Sequence, residues 1–212
     1  VPCIIETCAK ISKEIAVIAS RDANGRTSIF PMVEMEFNPS ANLVEFLYSP
    51  AAVSAEIESH AKQFAFTIME SADFVGLLAV EFFITHDGQL WVNEMAPRPH
   101  NSGHHTIEGC ITSQYEQHLR AILNMPPGDT QLVAPFAAMI NILGEKNANG
   151  NALYTGIEEA RNTPGVFIHL YGKKKVTPFR KMGHITIIGN NLDELKAKAR
   201  ELMQSVRCIS GS

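Results

Sequence analysis

LLAVEFFITHDGQLWVNEMAPRPHNSGHHT, residues Leu77–Thr106, holds two strand-like apolar runs, Leu77–Thr85 and Leu90–Met95, on either side of Asp87-Gly88. Asp-Gly between such runs predicts a two-residue hairpin with a type I′ turn, which needs positive φ at both central residues. Counting out from that turn sets His86 opposite Gln89, Thr85 opposite Leu90 and Glu81 opposite Glu94. Opposed residues of an antiparallel pair point to the same side of the sheet, and like charges there repel. Two carboxylates side by side on an otherwise apolar ladder carry a cost unless they are paired or bind a metal. The flanking Phe82, Phe83, Ile84, Trp91 and Val92 make both faces apolar, which argues against a solvated edge. Mg²⁺ takes oxygen ligands from one or two carboxylates and completes its shell with nucleotide phosphates, so Glu81 and Glu94 are the candidate metal ligands.

The loop that leaves the hairpin, Ala96-Pro97-Arg98-Pro99-His100-Asn101-Ser102-Gly103-His104-His105, concentrates one Arg, three His, one Asn and one Ser in a segment stiffened by two prolines. Polar groups held beside a metal hairpin make a candidate anion and substrate site.

The 212 residues suit one large domain or two small ones, and 45% apolar content is enough for a core. A net charge of −4 argues against a nucleic-acid or polyanionic-membrane binder. Cys3, Cys8, Cys110 and Cys208 show no C-x-x-C pair and no zinc spacing, so each reads as a buried reduced thiol in a cytoplasmic protein. No apolar run is long enough for a membrane span, and no secretory signal is present. Neither G-x-G-x-x-G nor a Walker A loop occurs.

In order along the chain, Pro2–Ala9, Glu14–Arg21, Thr27–Val33 and Leu43–Tyr48 read as strands. Ser54–Ser71 reads as a helix capped by Ser54, with Ile57, Ala61, Phe64, Ala65 and Ile68 inward. Thr112–Asn124 reads as a second amphipathic helix, with Tyr115, Leu119, Ile122 and Leu123 inward. Met125-Pro126-Pro127-Gly128-Asp129 is the best domain boundary, dividing the chain into residues 1–125 and 126–212. Beyond it lie strand Phe136–Leu143, a short helix near Gly156–Arg161, strands Val166–Tyr171 and His184–Ile188, and helix Leu192–Val206. The basic segment from Lys173 to Lys181 stands out in an acidic chain as a patch that can attract a phosphate.

NEMAPRPHNSGHHT, with VEFF upstream and TSQYEQHLRAIL downstream, closely resembles the ATP-grasp enzymes of the 5-(carboxyamino)imidazole ribonucleotide synthase family, and the likeness runs over nearly the whole chain. It implies an α+β fold: an ATP-grasp antiparallel sheet with packed helices, followed by a small C-terminal α/β, barrel-sandwich-like domain. It further implies that the chain is the C-terminal part of a longer enzyme, typically a homodimer. The part covering the nucleotide phosphates would be missing, leaving this chain alone inactive. The implied reaction uses ATP and bicarbonate, with Mg²⁺ on Glu81 and Glu94, to carboxylate 5-aminoimidazole ribonucleotide through carboxyphosphate. By the same resemblance Glu6 and the backbone of Ala9 meet adenine, Glu14 the ribose hydroxyls, and Arg98, His100 and Asn101 the bicarbonate or carboxyphosphate. YGK followed by RKMGH makes Lys173, Arg180 and Lys181 the site of the ribonucleotide 5′-phosphate. Thr7 and Cys8 depart from the family's usual acid and aromatic pair. His104 and His105 read as structural, and Lys174 and Lys175 as solvated. Two alternatives stay open: another ATP-grasp carboxylase or formyl transferase, and an inactive fragment that only binds nucleotide.

Overall fold

A computed structural model describes residue 3, residues 7–38 and residues 43–211. Its first half contains β1 (Ile11–Arg21), β2 (Thr27–Ile29), β3 (Val33–Asn38), β4 (Leu43–Ser49), α1 (Ala55–Ser71), β5 (Gly76–Thr85) and β6 (Leu90–Ala96). A 3₁₀ turn (Asn101–Gly103), α2 (Thr106–Gly109) and α3 (Gln114–Ile122) follow. The remainder is β7 (Phe136–Leu143), β8 (Gly150–Thr155), α4 (Ile157–Arg161), β9 (Val166–Leu170), β10 (Lys175–Val176), β11 (Lys181–Gly189), α5 (Leu192–Ser205) and β12 (Arg207–Gly211).

Nine strands form one antiparallel sheet in the order β6-β5-β1-β3-β4-β7-β11-β9, with β2 beside β1, while β10-β8-β12 make a second, three-stranded sheet. The β4–β7 pairing, Phe46 with Ile140 through Ser49 with Ala137, carries the large sheet across Met125–Asp129. Pro31, without an N–H to give to a ladder, falls between β2 and β3, so the predicted single strand Thr27–Val33 is two. β1 begins at Ile11 rather than Glu14. The short strands β8, β10 and β12 carry too little apolar alternation to have been read from sequence. No helix among the described residues is long and apolar enough to cross a membrane.

The two faces of the large sheet differ in chemistry. One face is closed by α1 and α5. Ser54 caps α1 by accepting the N–H of Ile57, and the helix buries Ala61, Ala65 and Met69 against Ile15, Val17, Val80 and Phe82. Alanines spaced four apart let the helix lie close to the sheet, and Phe64, expected inside, is 45% exposed. α5 packs Leu195, Ala199 and Leu202 over Ala138, Ile140, Ile185 and Ile187. The other face is covered by the loop after β6 together with α2 and α3, and it carries the polar residues.

The predicted inward face of α3 is reversed. Tyr115, Leu119, Ile122 and Leu123 are exposed, and Gln114, Gln117 and Ala121 are buried. Gln117 bonds Ser20 Oγ at 2.9 Å and accepts the N–H of Gly128, so amide hydrogen bonds fix the helix where apolar contact was expected. Cys110 and Cys208 are buried as expected, but Cys3 and Cys8 are exposed; the predicted strand Pro2–Ala9 lies partly outside the described residues, and residues 7–10 are not in a strand.

Candidate active site

The hairpin reaches the predicted opposition by another route. Thr85 accepts the N–H of Gly88 and donates its own to Gln89, and Gly88 takes φ +80° while Asp87 does not. This wider turn shifts the register by one residue: Ile84 faces Leu90 and Phe82 faces Val92. A bulge at Asn93 then shifts it back, and Glu81 faces Glu94. Ala16 of β1 lies opposite Glu81 and Phe83 opposite Glu14, so Glu14, Glu81 and Glu94 point to one side.

One ligand atom each from Glu81, Glu94 and His100 lie within 4.8 Å of one another. A cation bridging two carboxylates at about 2.1 Å per bond spans about 4.2 Å, so the two oxygens can share an ion after a small closure. Glu81 is 7% exposed. Burial, then Glu94, then Glu14 push its carboxyl up to about 7. A buried acid held against a second carboxylate is the charge arrangement a divalent cation relieves, and the donor set fits Mg²⁺. Mg²⁺ prefers oxygen, so the two carboxylates would hold it and the imidazole is left for an anion. His100 Nδ1 is 3.4 Å from Glu81 Oε1 and its Nε2 3.6 Å from Glu94 Oε1. Burial, then Arg98, lowers the imidazole's pKa, so it is neutral at pH 7 and these contacts are not ion pairs.

This electrostatics gives a stability prediction for the metal-free protein. A carboxyl with a folded-state pKa raised to about 7 favours folding fully below its unfolded value, and that contribution is lost as pH rises through about 7. Glu81→Gln lacks the titration. Its melting temperature relative to wild type should therefore rise by several degrees between about pH 5 and about pH 8. Parallel curves for the two proteins across that range would contradict the burial of the acid.

The loop from Pro97 to His105 is clamped from below. Gln114, fully buried, accepts the His100 N–H (2.9 Å) and donates to the His100 carbonyl (2.8 Å) and to His104 Nδ1 (3.0 Å). Its amide thus pairs with His100 as a neighbouring strand would. A Cβ at position 103 would run into this amide, which is why the loop needs Gly103 there. Ser102 Oγ lies 2.9 Å from His100 Nδ1, and His105 Nδ1 donates to the Ser102 carbonyl. Arg98 is exposed, with Nη1 on the Pro99 carbonyl.

On the β7–β11 side, Lys181 Nζ donates to Asn101 Oδ1 at 3.0 Å, and Asn101 pairs with Asn141 of β7 at 2.9 and 3.1 Å. Lys173 donates to the Lys181 carbonyl, so these two cations come together. Arg180 is exposed, and its guanidinium donates to the Lys175 carbonyl at 2.8 Å. Lys175 bonds Asn151. Beyond Lys181, the His104, His184 and His169 rings stand 4.8 and 4.6 Å apart in a column. Tyr171 OH reaches His184 Nδ1 (3.0 Å) and Glu108 reaches His169 Nε2 (2.6 Å). Burial lowers His104 to about 4 and His184 to about 3, so both are neutral at pH 7.

Among the nucleotide positions, Glu14 lies on the site face and burial pushes it up to about 7. Ala9 is half-buried just before β1, and Glu6 lies outside the described residues. Sequence reading missed Gln114, Asn141 and the histidine column. A polar residue inside the apolar run Phe136–Leu143 was the one signal that could have raised Asn141.

The ATP-grasp domain family matches residues 1–115, and the phosphoribosylaminoimidazole carboxylase C-terminal domain matches residues 137–198. The N5-carboxyaminoimidazole ribonucleotide synthase of Bacillus subtilis is 40% identical over 193 residues, 91% of this chain and 48% of that protein. The crystal structure of the Thermotoga maritima synthetase superposes with a TM-score of 0.88 at 39% identity, over 97% of this chain and 55% of that one. The Aspergillus clavatus synthase, solved in complex with ADP and 5-aminoimidazole ribonucleotide, gives 0.80 at 32% identity, over 93% of this chain and 53% of that one. The chain spans about half the length, or less, of the relatives it matches. The mostly antiparallel sheet, the paired acids on its polar face and these matches agree: the chain belongs to the ATP-grasp family, its ATP-grasp segment followed by one similar to the carboxylase C-terminal domain.

Proposed function

We propose that this chain is the C-terminal portion of an ATP-dependent carbon–nitrogen ligase that carboxylates 5-aminoimidazole ribonucleotide to N5-carboxyaminoimidazole ribonucleotide. The observation that carries the reading is the convergence, on one sheet face, of the Glu81–Glu94 pair, the loop Arg98–Asn101 and Lys181. Similarity to synthases over most of the chain supports it.

In the reaction, a bicarbonate oxygen attacks the γ-phosphorus of ATP and ADP leaves, giving carboxyphosphate. The exocyclic amine of the ribonucleotide then captures the carboxyl carbon, directly or as released CO₂, with loss of inorganic phosphate and a proton. Mg²⁺ bound to Glu81 and Glu94 would neutralise charge on the β- and γ-phosphates. Arg98 supplies a bidentate donor to the planar bicarbonate. His100, neutral at pH 7, accepts the Ser102 N–H at Nδ1 and so offers Nε2–H as a donor to the anion, and Asn101 holds the anion through its amide. Lys173, Arg180 and Lys181 take the ribonucleotide 5′-phosphate, and Glu6, Ala9 and Glu14 take adenosine. Carboxyphosphate hydrolyses readily, so the loop must also keep water away. We place the functional division at residues 1–125 and 126–212, in a homodimeric cytoplasmic enzyme when complete.

The test uses the full-length protein that contains this chain. ADP release should require both bicarbonate and the ribonucleotide, and formate should not replace bicarbonate; formate-driven turnover would favour a formyl-transferring relative. Arg180→Ala should raise the KM for the ribonucleotide about tenfold or more and leave that for ATP nearly unchanged. Equal shifts in both would remove Arg180 from the phosphate site.

A further inference from the structure

Asn141 sits in the middle of β7, 4% exposed, in the apolar run Ala137–Leu143. A buried carboxamide in such a strand is costly unless every group is bonded, and here each is. Its Nδ2 donates to the Val44 carbonyl at 2.8 Å and to Asn101 Oδ1 at 3.1 Å, and its Oδ1 accepts from Asn101 Nδ2 at 2.9 Å.

The orientation of both amides follows from the groups at the two ends. The Val44 carbonyl can only accept, so it must meet the Asn141 nitrogen. The Lys181 ammonium can only donate, so it must meet the Asn101 oxygen. The two constraints agree, and together they exclude a flip of either side chain. Asn101 Oδ1 is then occupied by two donors. Asn101 Nδ2 keeps one N–H beyond the one given to Asn141, and Lys181 keeps two of its three. What this arrangement presents to the loop is donors alone, suited to an oxyanion.

We infer that Asn141 is a positioning residue for the bicarbonate or carboxyphosphate oxyanion: it locks the Asn101 amide so that Asn101 and Lys181 face that anion with N–H groups. This rests on the functional reading above. Asn141 acts through Asn101 and does not touch the anion. The geometry also ties Lys181 to the carboxylation loop as well as to the phosphate segment beginning at Lys173.

The test is a double-variant cycle in the full-length protein with bicarbonate as the varied substrate. Asn141→Leu should raise the KM for bicarbonate about tenfold and change that for ATP less than about twofold. In an Asn101→Ala background it should add nothing further, because the partner it orients is gone. Asn141→Asp keeps the side-chain volume but cannot donate to the Val44 carbonyl while ionised. It should give the same pattern and serves if the leucine variant does not fold. Losses that multiply in the double variant, or KM values for ATP and bicarbonate that rise together, would overturn the positioning role while leaving the functional reading intact. Wild-type protein whose ADP release ignores bicarbonate would overturn the functional reading, and the oxyanion role of Asn141 with it.

Discussion

Glu94→Gln in the full-length protein should lower kcat about a thousandfold or more while shifting the melting temperature by at most a degree or two. The two effects separate because of where Glu94 sits. Its side chain is 59% exposed on the edge strand β6, where an isosteric amide changes little packing. Removing its charge also relieves repulsion on the buried Glu81, so folding gains slightly if it changes at all. The divalent ion, by contrast, loses one of two carboxylates, and the amide oxygen that replaces it is a far weaker ligand for Mg²⁺. Steady-state ADP release and a thermal melt of the same sample check both halves. Near-wild-type turnover would remove the metal assignment, and a large drop in melting temperature would show that Glu94 supports the fold instead.

Gln114→Leu should destabilise the protein by about 3–5 kcal/mol, measured by chemical denaturation, and should abolish activity as well. The variant removes three hydrogen bonds at a fully buried position and strands the His100 N–H and carbonyl without partners. Unsatisfied buried groups each cost about 1–3 kcal/mol, which sets the range. Gln114→Glu preserves shape and the acceptor for His100 N–H, yet turns a carboxylate towards the His100 carbonyl, so it should not restore stability. Leu119→Ser on the opposite side of α3, at 53% exposure, should cost less than about 1 kcal/mol. A reading of α3 from its apolar periodicity predicts the reverse ranking, so the pair of variants distinguishes the two orientations of the helix.

α3 shows why part of this site was not legible. Periodicity identifies residues that share a helix face, but Tyr115, Leu119 and Ile122 satisfy it as well as Gln114, Gln117 and Ala121 do. Which set turns inward depended on the amide partners waiting there, His100, Ser20 and Gly128, all remote from α3 in sequence or in another element. The hairpin is a different case. Its opposition of Glu81 and Glu94 was predicted from a turn that does not form, and the bulge at Asn93 restored the count. No local signal announces a one-residue bulge, and the apolar ladder did not fix the register through burial either: β6 is an edge strand with Trp91, Val92 and Met95 exposed, contrary to the expectation of two covered faces.

Local chemistry alone settled a good deal of this molecule. Strand-forming runs, the Ser54 cap and the Arg-His-Asn loop after an acidic hairpin were readable because each rests on preferences within a few residues of chain. Tertiary structure decided which amides became the framework of the site. A hydrogen bond between Asn101 and Asn141, or between Asn101 and Lys181, joins groups far apart in sequence. Its value depends on burial that exists only once β4, β7 and β11 share a sheet. In an open chain those same side chains are satisfied by water, and nothing in their order along the sequence marks the two that end up facing each other.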